Sequence, residues 1–336
     1  MRDLENLTSW HSDWSGLRVA VLGLGATGFS AADTLVELGA AVLVVAEDAT
    51  EELRRLSDVI GAPALIAPGT SVPSELANFG AEVAIVSPGF AVDHPWVEAL
   101  RAAEVALWGD VELAWRLRDK VGDPAEWLIV TGSEGDVLAT RVAEHLLVGA
   151  DHRVIAAAGN GVPVLDTVRD PIGYEALILA LSPAQLRWLP ASGAGSLLPA
   201  ASACTVARDF GDEDAVNAAT IYNGTRIACL YNTGDDSTMH MVEQAEVQEG
   251  CRAIGFGLAA PGPSDLGVVD EIIVDRAFHD DRRSTALELT TRGELHDLGL
   301  SSPSDVTAVL VGVGFARLCG VPADEIRAGL ATFVAR

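Results

Sequence analysis

The first hundred residues alternate between short apolar runs and stretches with helical periodicity. This alternation is typical of βαβ units, in which the strands pair in parallel and the helices cover both faces of the sheet. The sequence therefore predicts a Rossmann-like, doubly wound parallel α/β domain. The predicted strands are Arg18–Leu22, Ala41–Val45 and Val83–Val86, and the predicted helices are Thr27–Leu38, Glu51–Leu56 and His94–Ala103.

A polar stretch with a Pro and a Gly, Arg118–Glu126, interrupts this pattern and is predicted to be a linker. A second α/β pattern begins with the strand Trp127–Thr131. A chain of 336 residues with 49% apolar residues can bury two cores, so we predict domains at 1–120 and 125–336. The remaining predicted elements are strands at Arg153–Ala157, Ala176–Ala180, Ala203–Val206, Thr225–Tyr231 and Ala253–Gly255 and helices at Ser304–Cys319 and Ala323–Ala331.

The chain is strongly acidic, with a formal net charge of −26 and no basic cluster. Long-range repulsion of this size argues against binding to nucleic acid or to anionic membrane surfaces. No apolar stretch is long enough to span a bilayer, and the amino terminus lacks the basic and apolar segments of a signal peptide. We therefore expect a cytoplasmic protein without membrane insertion.

Other polar residues suggest no site of their own. The four cysteines, Cys204, Cys229, Cys251 and Cys319, form no CxxC pair and are expected to be reduced packing residues. The histidines show no metal-ligand spacing, so no metal site is predicted. Asp110 and Glu112 are expected to lie on a solvated helix face.

The segment Gly23-Leu-Gly25-Ala26-Thr27-Gly28 follows a predicted strand and opens a predicted helix. Glycines with this spacing permit a tight turn and let a diphosphate approach the helix amino terminus. Because Glu47 ends the next strand, NAD is one candidate ligand and a UDP-sugar is another. The glycines could also serve helix packing alone. A second turn, Ser87-Pro88-Gly89-Phe90, ends a later strand, where open α/β sheets bind ligands.

A second Gly-rich turn, Thr131-Gly132-Ser-Glu-Gly135-Asp136-Val137, also lies between a strand and a helix. A phosphate-binding loop at this point would carry a Lys that neutralises phosphate, followed by a Ser or Thr that binds Mg²⁺. Here Asp136 and Val137 occupy those two positions, and an acid so close to phosphate repels it. The only lysine of the chain, Lys120, precedes the strand. The alternative is a simple tight turn.

Seven segments, taken in their order along the chain, resemble those of a known protein family. The segments are GLGATGFSAADTLVELGA, IVSPGF, LWGDVELAWRL, WLIVTGSEGD, AAGNGVPVLD, LILALSPAQLRWLP and GTRIACLYN. Together they resemble the Mur ligases of peptidoglycan synthesis, specifically those that add D-glutamate to UDP-N-acetylmuramoyl-L-alanine. The resemblance implies a domain that binds the UDP-sugar, a central P-loop-type α/β domain that uses ATP and Mg²⁺, and a third domain that binds the amino acid. In the family, ATP and the substrate carboxylate form an acyl phosphate, which the amine then attacks.

Carried over residue by residue, the resemblance implies an intact substrate side. The implied UDP-muramoyl-binding residues are Gly25, Ala26, Thr27, Gly28, Ser87, Pro88, Gly89 and Asn160. Ala46 stands where the family has an acid after the second strand, so Glu47 or Asp48 would have to substitute for it.

The same comparison implies a degenerate ATP and Mg²⁺ side. The family's phosphate lysine falls on Asp136, its Mg²⁺-binding hydroxyl on Val137 and its Mg²⁺-binding Glu on Ala180. Its metal-linked His falls on Phe210, its carbamylated lysine on Ala218 and its adenine-side Asn on Ala308. The affected positions are Gly132, Gly135, Asp136, Val137, Ala180, Phe210, Ala218 and Ala308.

All of these replacements affect the use of ATP and Mg²⁺, because Mg²⁺ needs oxygen ligands and phosphoryl transfer needs positive charge. The sequence therefore predicts a binding or regulatory pseudoenzyme without the third domain and without ATP or Mg²⁺ as cofactors. Its expected partners are UDP-N-acetylmuramoyl-L-alanine or a similar UDP-sugar and an active Mur ligase. The alternatives are a ligase with residual activity or half of a split one, an NAD-dependent oxidoreductase, and a decayed paralogue without a role.

Overall fold

The structure is a computed structural model that describes residues 3–132, 136–189, 202–206 and 212–335. Contacts between Cα atoms divide the chain into two compact units. The first unit contains residues up to 124 and two later segments, and the second contains the rest. The described residues of the first unit are 3–124, 161–173 and 184–189, and those of the second are 125–132, 136–160, 174–183, 202–206 and 212–335.

The strands and helices alternate through most of the described chain. The strands are β1 (Arg18–Leu22), β2 (Ala41–Ala46), β3 (Ala64–Ile66), β4 (Val83–Val86), β5 (Ala106–Gly109), β6 (Glu126–Thr131), β7 (Val154–Ala158), β8 (Ala176–Ala180), β9 (Ser202–Thr205), β10 (Ala228–Asn232), β11 (Arg252–Phe256), β12 (Asp265–Val269), β13 (Ile272–Asp275) and β14 (Leu287–Thr291). The helices are α1 (Ala26–Glu37), α2 (Glu51–Val59), α3 (Ser74–Phe79), α4 (Pro95–Ala102), α5 (Asp110–Arg116), α6 (Asp136–Gly149), α7 (Val164–Val168), α8 (Pro183–Leu186), α9 (Asp212–Ala219), α10 (Asp236–Gln244), α11 (Arg292–Asp297), α12 (Pro303–Leu318) and α13 (Ala323–Leu330).

The first unit is built on a five-stranded parallel sheet with the order β3-β2-β1-β4-β5. This is the strand order of doubly wound dinucleotide-binding sheets, and it confirms the predicted fold class. Strands β1 and β4 are almost wholly apolar and buried, as expected for central parallel strands covered on both faces. Strands β2 and β3 are added on one side of β1, whereas β4 and β5 are added on the other, so the strand order reverses between β1 and β4. Ligands of such sheets bind at the carboxyl ends of the strands at this point.

The second unit is built on a nine-stranded sheet with the order β14-β13-β12-β11-β10-β9-β6-β8-β7. The pairs from β7 to β12 are parallel, whereas β13 pairs in antiparallel fashion with both β12 and β14. Strand β6 therefore lies between β8 and β9, and its carboxyl end leads to Gly132. Helices α6 and α12 pack against one another and contribute many apolar residues to the same core.

Most predicted elements are observed with bounds shifted by at most a few residues, and β1, β4 and β8 have the predicted bounds. The sequence did not predict β3, β5 or the antiparallel strands β12, β13 and β14. No helix in the described ranges is long and apolar enough to cross a membrane.

Candidate functional site

The first Gly-rich turn connects β1 to α1, and each of its three glycines meets a different steric requirement. Gly23 has a φ of +99°, and a Cβ there would lie 2.7 Å from the Ser87 hydroxyl oxygen. A Cβ on Gly28 would lie 2.1 Å from the backbone oxygen of Gly23, so any side chain would disrupt the turn. Gly25 has no atom within 4 Å of such a Cβ. Its open face lets a ligand approach the backbone closely.

A cavity of about 740 Å³ opens beside this turn, at the carboxyl ends of β1, β2 and β4. Gly25, Ala26, Thr27 and Gly28 line it, as do Ser87 and Pro88, so six of the predicted substrate-binding residues lie together. Gly89 is exposed and is not among the lining residues. The two acidic residues after β2, Glu47 and Asp48, also line the cavity, and so does Ala46, which is buried at the end of β2.

The cavity offers groups that suit a diphosphate and a sugar. Helix α1 begins at Ala26, and the backbone N–H groups of its first turn have no partners within the helix. An anion near this helix end therefore gains both hydrogen bonds and the favourable end of the helix dipole. The carboxylates of Glu47 and Asp48 can accept hydrogen bonds from hydroxyl groups, as acidic residues after the second strand do with ribose.

His94 was given no role from the sequence, yet it lies beside this cavity. Its Nδ1 accepts a hydrogen bond from the Trp96 backbone N–H at 3.2 Å and thereby caps α4. Its Nε2 is buried, has no hydrogen-bond partner among the described residues and lies 3.7 Å from Glu47 Oε1. His94 thus faces the acid that lines the cavity. The only sequence signal for this contact would have been the position of His94 after β4.

Asn160, the eighth predicted substrate residue, belongs to the second unit. Its side-chain amide donates a hydrogen bond to the Ala156 backbone oxygen at 2.8 Å and thereby supports the turn that follows β7.

The second Gly-rich turn follows β6. Gly132 is buried, Gly135 lies outside the described residues, and Asp136 is the first residue of α6. The Asp136 carboxylate accepts a hydrogen bond from the Val137 backbone N–H at 2.8 Å, and burial raises the pKa of this carboxyl above its ordinary value. An acid at this position interacts favourably with the helix dipole. It also occupies a donor that a bound phosphate would use.

Apolar groups converge at the same edge of the second sheet. A Cβ built on Gly159 would lie 2.7 Å from Val137 Cγ2 and 3.0 Å from Ala180 Cβ, so these two side chains meet at one point. Neither side chain can ligate a metal ion. Two fully buried hydroxyls lie nearby on paired strands, those of Thr131 and Thr205, and neither has a hydrogen-bond partner among the described residues.

The other positions implied by the resemblance are buried or lie outside the described chain. Ala218 and Ala308 are fully buried, and Ala308 is part of the apolar core. Phe210 lies outside the described residues. No group of three or more His, Cys, Asp or Glu side chains in the described ranges could hold a metal ion. Among the described residues at this edge, Val137 and Ala180 offer no oxygen ligand for Mg²⁺ and the Asp136 carboxylate repels phosphate, so these residues do not fit ATP with Mg²⁺.

The expectation for Asp110 and Glu112 was wrong, because both side chains are buried in the first unit. Asp110 accepts a hydrogen bond from Gln185 at 3.1 Å, and Glu112 forms a 2.8 Å ion pair with Arg116. Burial raises the pKa of Asp110 to about 6 and that of Glu112 to about 7. Arg116 also donates to the backbone oxygens of Leu4 and Leu7, so this acidic face holds the amino-terminal segment rather than facing solvent.

Comparisons with known proteins agree with this architecture. No family model matches the chain. The UDP-N-acetylmuramoylalanine–D-glutamate ligase of Leifsonia xyli is 47% identical over 98% of the chain and 66% of its own length. The protein of the same name from Streptomyces coelicolor is 39% identical over 96% of the chain and 68% of its own length. The chain thus spans about two thirds of the length of these curated relatives.

Solved structures resemble the fold at low sequence identity. The UDP-N-acetylmuramate:L-alanyl-gamma-D-glutamyl-meso-diaminopimelate ligase from Neisseria meningitides aligns with a TM-score of 0.63 and 12% identity over 96% of this chain and 99% of its own. The UDP-N-acetylmuramate–alanine ligase from Thermotoga maritima aligns with a TM-score of 0.55 and 15% identity, over 94% of this chain and 68% of its own. The fold is therefore that of the Mur ligases. The chain belongs to the Mur ligase family, in the lineage of the D-glutamate ligases, as the sequence segments predicted.

Proposed function

We propose that this chain binds UDP-N-acetylmuramoyl-L-alanine, or a similar UDP-sugar, without transferring phosphate from ATP. The UDP-sugar part of the proposal rests on the cavity beside the first Gly-rich turn. There, an open backbone face at Gly25 and the amino terminus of α1 suit a diphosphate, and Glu47 and Asp48 suit sugar hydroxyls. The name of the relatives includes the same UDP-sugar, and this supports the choice of ligand.

The observation that carries the second part is the convergence of Val137 and Ala180 beside Asp136. In an active ligase this edge has to neutralise the γ-phosphate and hold Mg²⁺. Here an acid and two apolar side chains stand in those places. The only lysine, Lys120, belongs to the first unit, where it pairs with Glu37 at 3.1 Å and lies over the Trp10 ring. We therefore infer a binding or regulatory role, exerted on an active Mur ligase.

Isothermal titration with UDP-N-acetylmuramoyl-L-alanine tests the proposal. We expect saturable binding by the purified chain and at least about tenfold weaker binding by the Gly25→Ala variant, because the new methyl group meets the approaching diphosphate. An absence of heat at millimolar ligand would remove the UDP-sugar part. NADH is titrated in parallel, and preferential binding of NADH would favour an oxidoreductase instead.

Phosphate release in the presence of ATP, Mg²⁺, UDP-N-acetylmuramoyl-L-alanine and D-glutamate tests the second part. We expect none above background at high protein concentration. Adding the chain to an active UDP-N-acetylmuramoylalanine–D-glutamate ligase should change that enzyme's rate. Phosphate release by the chain alone, coupled to D-glutamate, would establish a residual ligase and contradict the proposal.

A further inference from the structure

A second cavity, of about 240 Å³, lies within the second unit at the amino-terminal ends of its central strands. Its lining includes the first residues of β6, β7, β8 and β9, so it opens at the sheet edge opposite to Gly132 and Asp136. We call it the amino-edge cavity. Strand β6 separates the two edges by its length, roughly 20 Å. A ligand here would therefore not overlap with one bound at the second Gly-rich turn.

The walls of the amino-edge cavity are mostly apolar. Leu128 on β6 and Leu147 on α6 are fully buried, and Leu318 at the end of α12 completes the wall. Because a water molecule occupies about 30 Å³ in the liquid, the cavity has the volume of roughly eight water molecules, which suits a small organic molecule. The lining favours a compact hydrocarbon or aromatic body.

One end of the amino-edge cavity is acidic. Glu126 begins β6 and Glu175 directly precedes the neighbouring strand β8, and the side chains of both are about half exposed. Glu126 pairs with Arg226, and Glu175 Oε2 lies 2.8 Å from His152 Nδ1. Burial and the charges of these two glutamates raise the pKa of the Cys319 thiol, which also lines the cavity, to about 11. Both carboxylates therefore lie at the same end of the cavity. The Arg226 guanidinium offsets the charge of Glu126, whereas Glu175 has a histidine beside it and, among the described residues, no paired guanidinium, so this end favours a cation.

Deeper in the cavity lies a buried polar atom, the Ser202 hydroxyl oxygen. The Ser202 side chain is fully buried, and its hydroxyl has no hydrogen-bond partner among the described residues. Ser202 pairs with Leu128, two residues inward from Glu126, so it lies roughly 7 Å from the acidic end along the strand direction. A buried hydroxyl without a partner is costly, and a ligand that bonds to it removes that cost.

We propose that the amino-edge cavity binds a small primary amine on an apolar body. The ammonium group lies at the end formed by Glu126 and Glu175, the body packs against Leu128, Leu147 and Leu318, and a hydrogen-bonding group on the body reaches Ser202. This site is separate from the UDP-sugar cavity, which belongs to the first unit. Its ligand contacts the amino-terminal end of β6, the strand whose carboxyl end leads to Gly132.

The probe is tyramine, titrated calorimetrically into the full chain. Its neutral analogue, 2-(4-hydroxyphenyl)ethanol, lacks the ammonium group, and phenethylamine lacks the hydroxyl. We expect tyramine to bind at one site and the neutral alcohol to bind at least about tenfold more weakly, because a charged hydrogen bond is lost. Saturating UDP-N-acetylmuramoyl-L-alanine should leave tyramine binding unchanged, so this test is independent of the proposed function.

Variants locate the site. Glu126→Gln and Glu175→Gln should each weaken tyramine binding by about tenfold, whereas Glu249→Gln, an exposed acid outside the cavity lining, should not. Ser202→Ala should weaken tyramine but not phenethylamine. Both glutamates are half exposed, so their amide variants are expected to fold. An absence of binding at millimolar tyramine, equal binding of the neutral alcohol, or an equal effect of Glu249→Gln would overturn the proposal.

Discussion

At the scale of single residues, the first Gly-rich turn separates a structural glycine from a ligand-facing one. The sequence predicted the turn and its possible diphosphate, but it could not assign the glycines, because their spacing is the same whether they pack or bind. The structure provides the distinction. A side chain at position 28 meets the Gly23 backbone oxygen, whereas one at position 25 meets open space.

We expect Gly28→Ala to destabilise the chain by about 1–3 kcal/mol, because the backbone has to move to accommodate the methyl group. Gly25→Ala should leave the free energy of unfolding within about 0.5 kcal/mol of the wild-type value. Urea unfolding of the two variants checks this pair. Similar unfolding free energies for both would contradict the assignment of Gly28 to packing.

Asp110 is a second residue whose environment could not be predicted from the sequence, because its side chain is buried rather than solvated. Unfolded, its carboxyl loses its proton near pH 3.8, and folded it does so near pH 6 because burial disfavours the charge. Between these values the folded state holds the proton more tightly. Stability from this group is therefore present below the unfolded pKa and is lost as the pH rises through the folded pKa.

Asp110→Asn keeps an acceptor for Gln185 and cannot ionise. The variant should gain stability relative to the wild type as the pH rises, by about 1 kcal/mol between a pH of about 5 and about 7.5. Glu112, with a pKa of about 7, titrates in both proteins, so its effect cancels in the difference. Urea unfolding at both pH values measures the difference in unfolding free energy between the variant and the wild type. If this difference did not change with pH, Asp110 would not titrate in this range.

At the scale of elements, the sequence predicted what periodicity alone determines. Buried parallel strands such as β1 and β4 are continuous apolar runs, and they were predicted with the observed bounds. The hairpin of β12 and β13 was missed. Its turn has Asp270 at a φ of +53° followed by Glu271, without the Gly that commonly marks a two-residue hairpin turn. Strand β3 was also missed, because its three residues are too few to form a recognisable pattern.

The packing of α6 on α12 depends on a glycine inside a helix. A Cβ on Gly312 would lie 2.6 Å from Val142 Cγ1 and 2.9 Å from the Ala139 backbone oxygen. Overpacking costs about 1–3 kcal/mol, and a Gly to Ala change in a helix gains up to about 1 kcal/mol. We therefore expect Gly312→Ala to lower the free energy of unfolding.

The control for this prediction is Gly293→Ala on the exposed face of α11, where the nearest atom to an added Cβ is the Thr291 hydroxyl oxygen at 3.8 Å. This variant should gain up to about 1 kcal/mol. Chemical unfolding of both variants separates packing from helix propensity. A stabilised Gly312→Ala variant would contradict the close approach of α6 and α12.

At the scale of the whole molecule, two units carry different kinds of Gly-rich turn on related α/β sheets. The order of the sequence segments was enough to recognise the family. The sequence did not predict that residues 161–173 and 184–189 belong to the first unit, because this depends on contacts between residues distant in sequence. The net charge of −26 is a property of the whole chain rather than of one site. Negative charges in such excess repel one another in the folded state, and dissolved salt screens this repulsion.

We expect the midpoint of thermal unfolding at neutral pH to rise between about 0.01 M and about 0.15 M NaCl, as the Debye length falls from about 30 Å to about 8 Å. Near the isoelectric point, at about pH 4.4, the same salt series should have little effect. Equal salt responses at both pH values would rule out self-repulsion as the cause.

The proposed function requires that the chain keeps a UDP-sugar site and does not use ATP. The most direct measurement is a thermal-shift comparison of the purified chain with UDP-N-acetylmuramoyl-L-alanine and with Mg-ATP, since a ligand that binds the folded state raises its stability, by about 2.7 kcal/mol at one hundred times its Kd. We predict a concentration-dependent rise in Tm with the UDP-sugar and none with Mg-ATP. A rise with Mg-ATP would contradict the inference from Asp136, Val137 and Ala180.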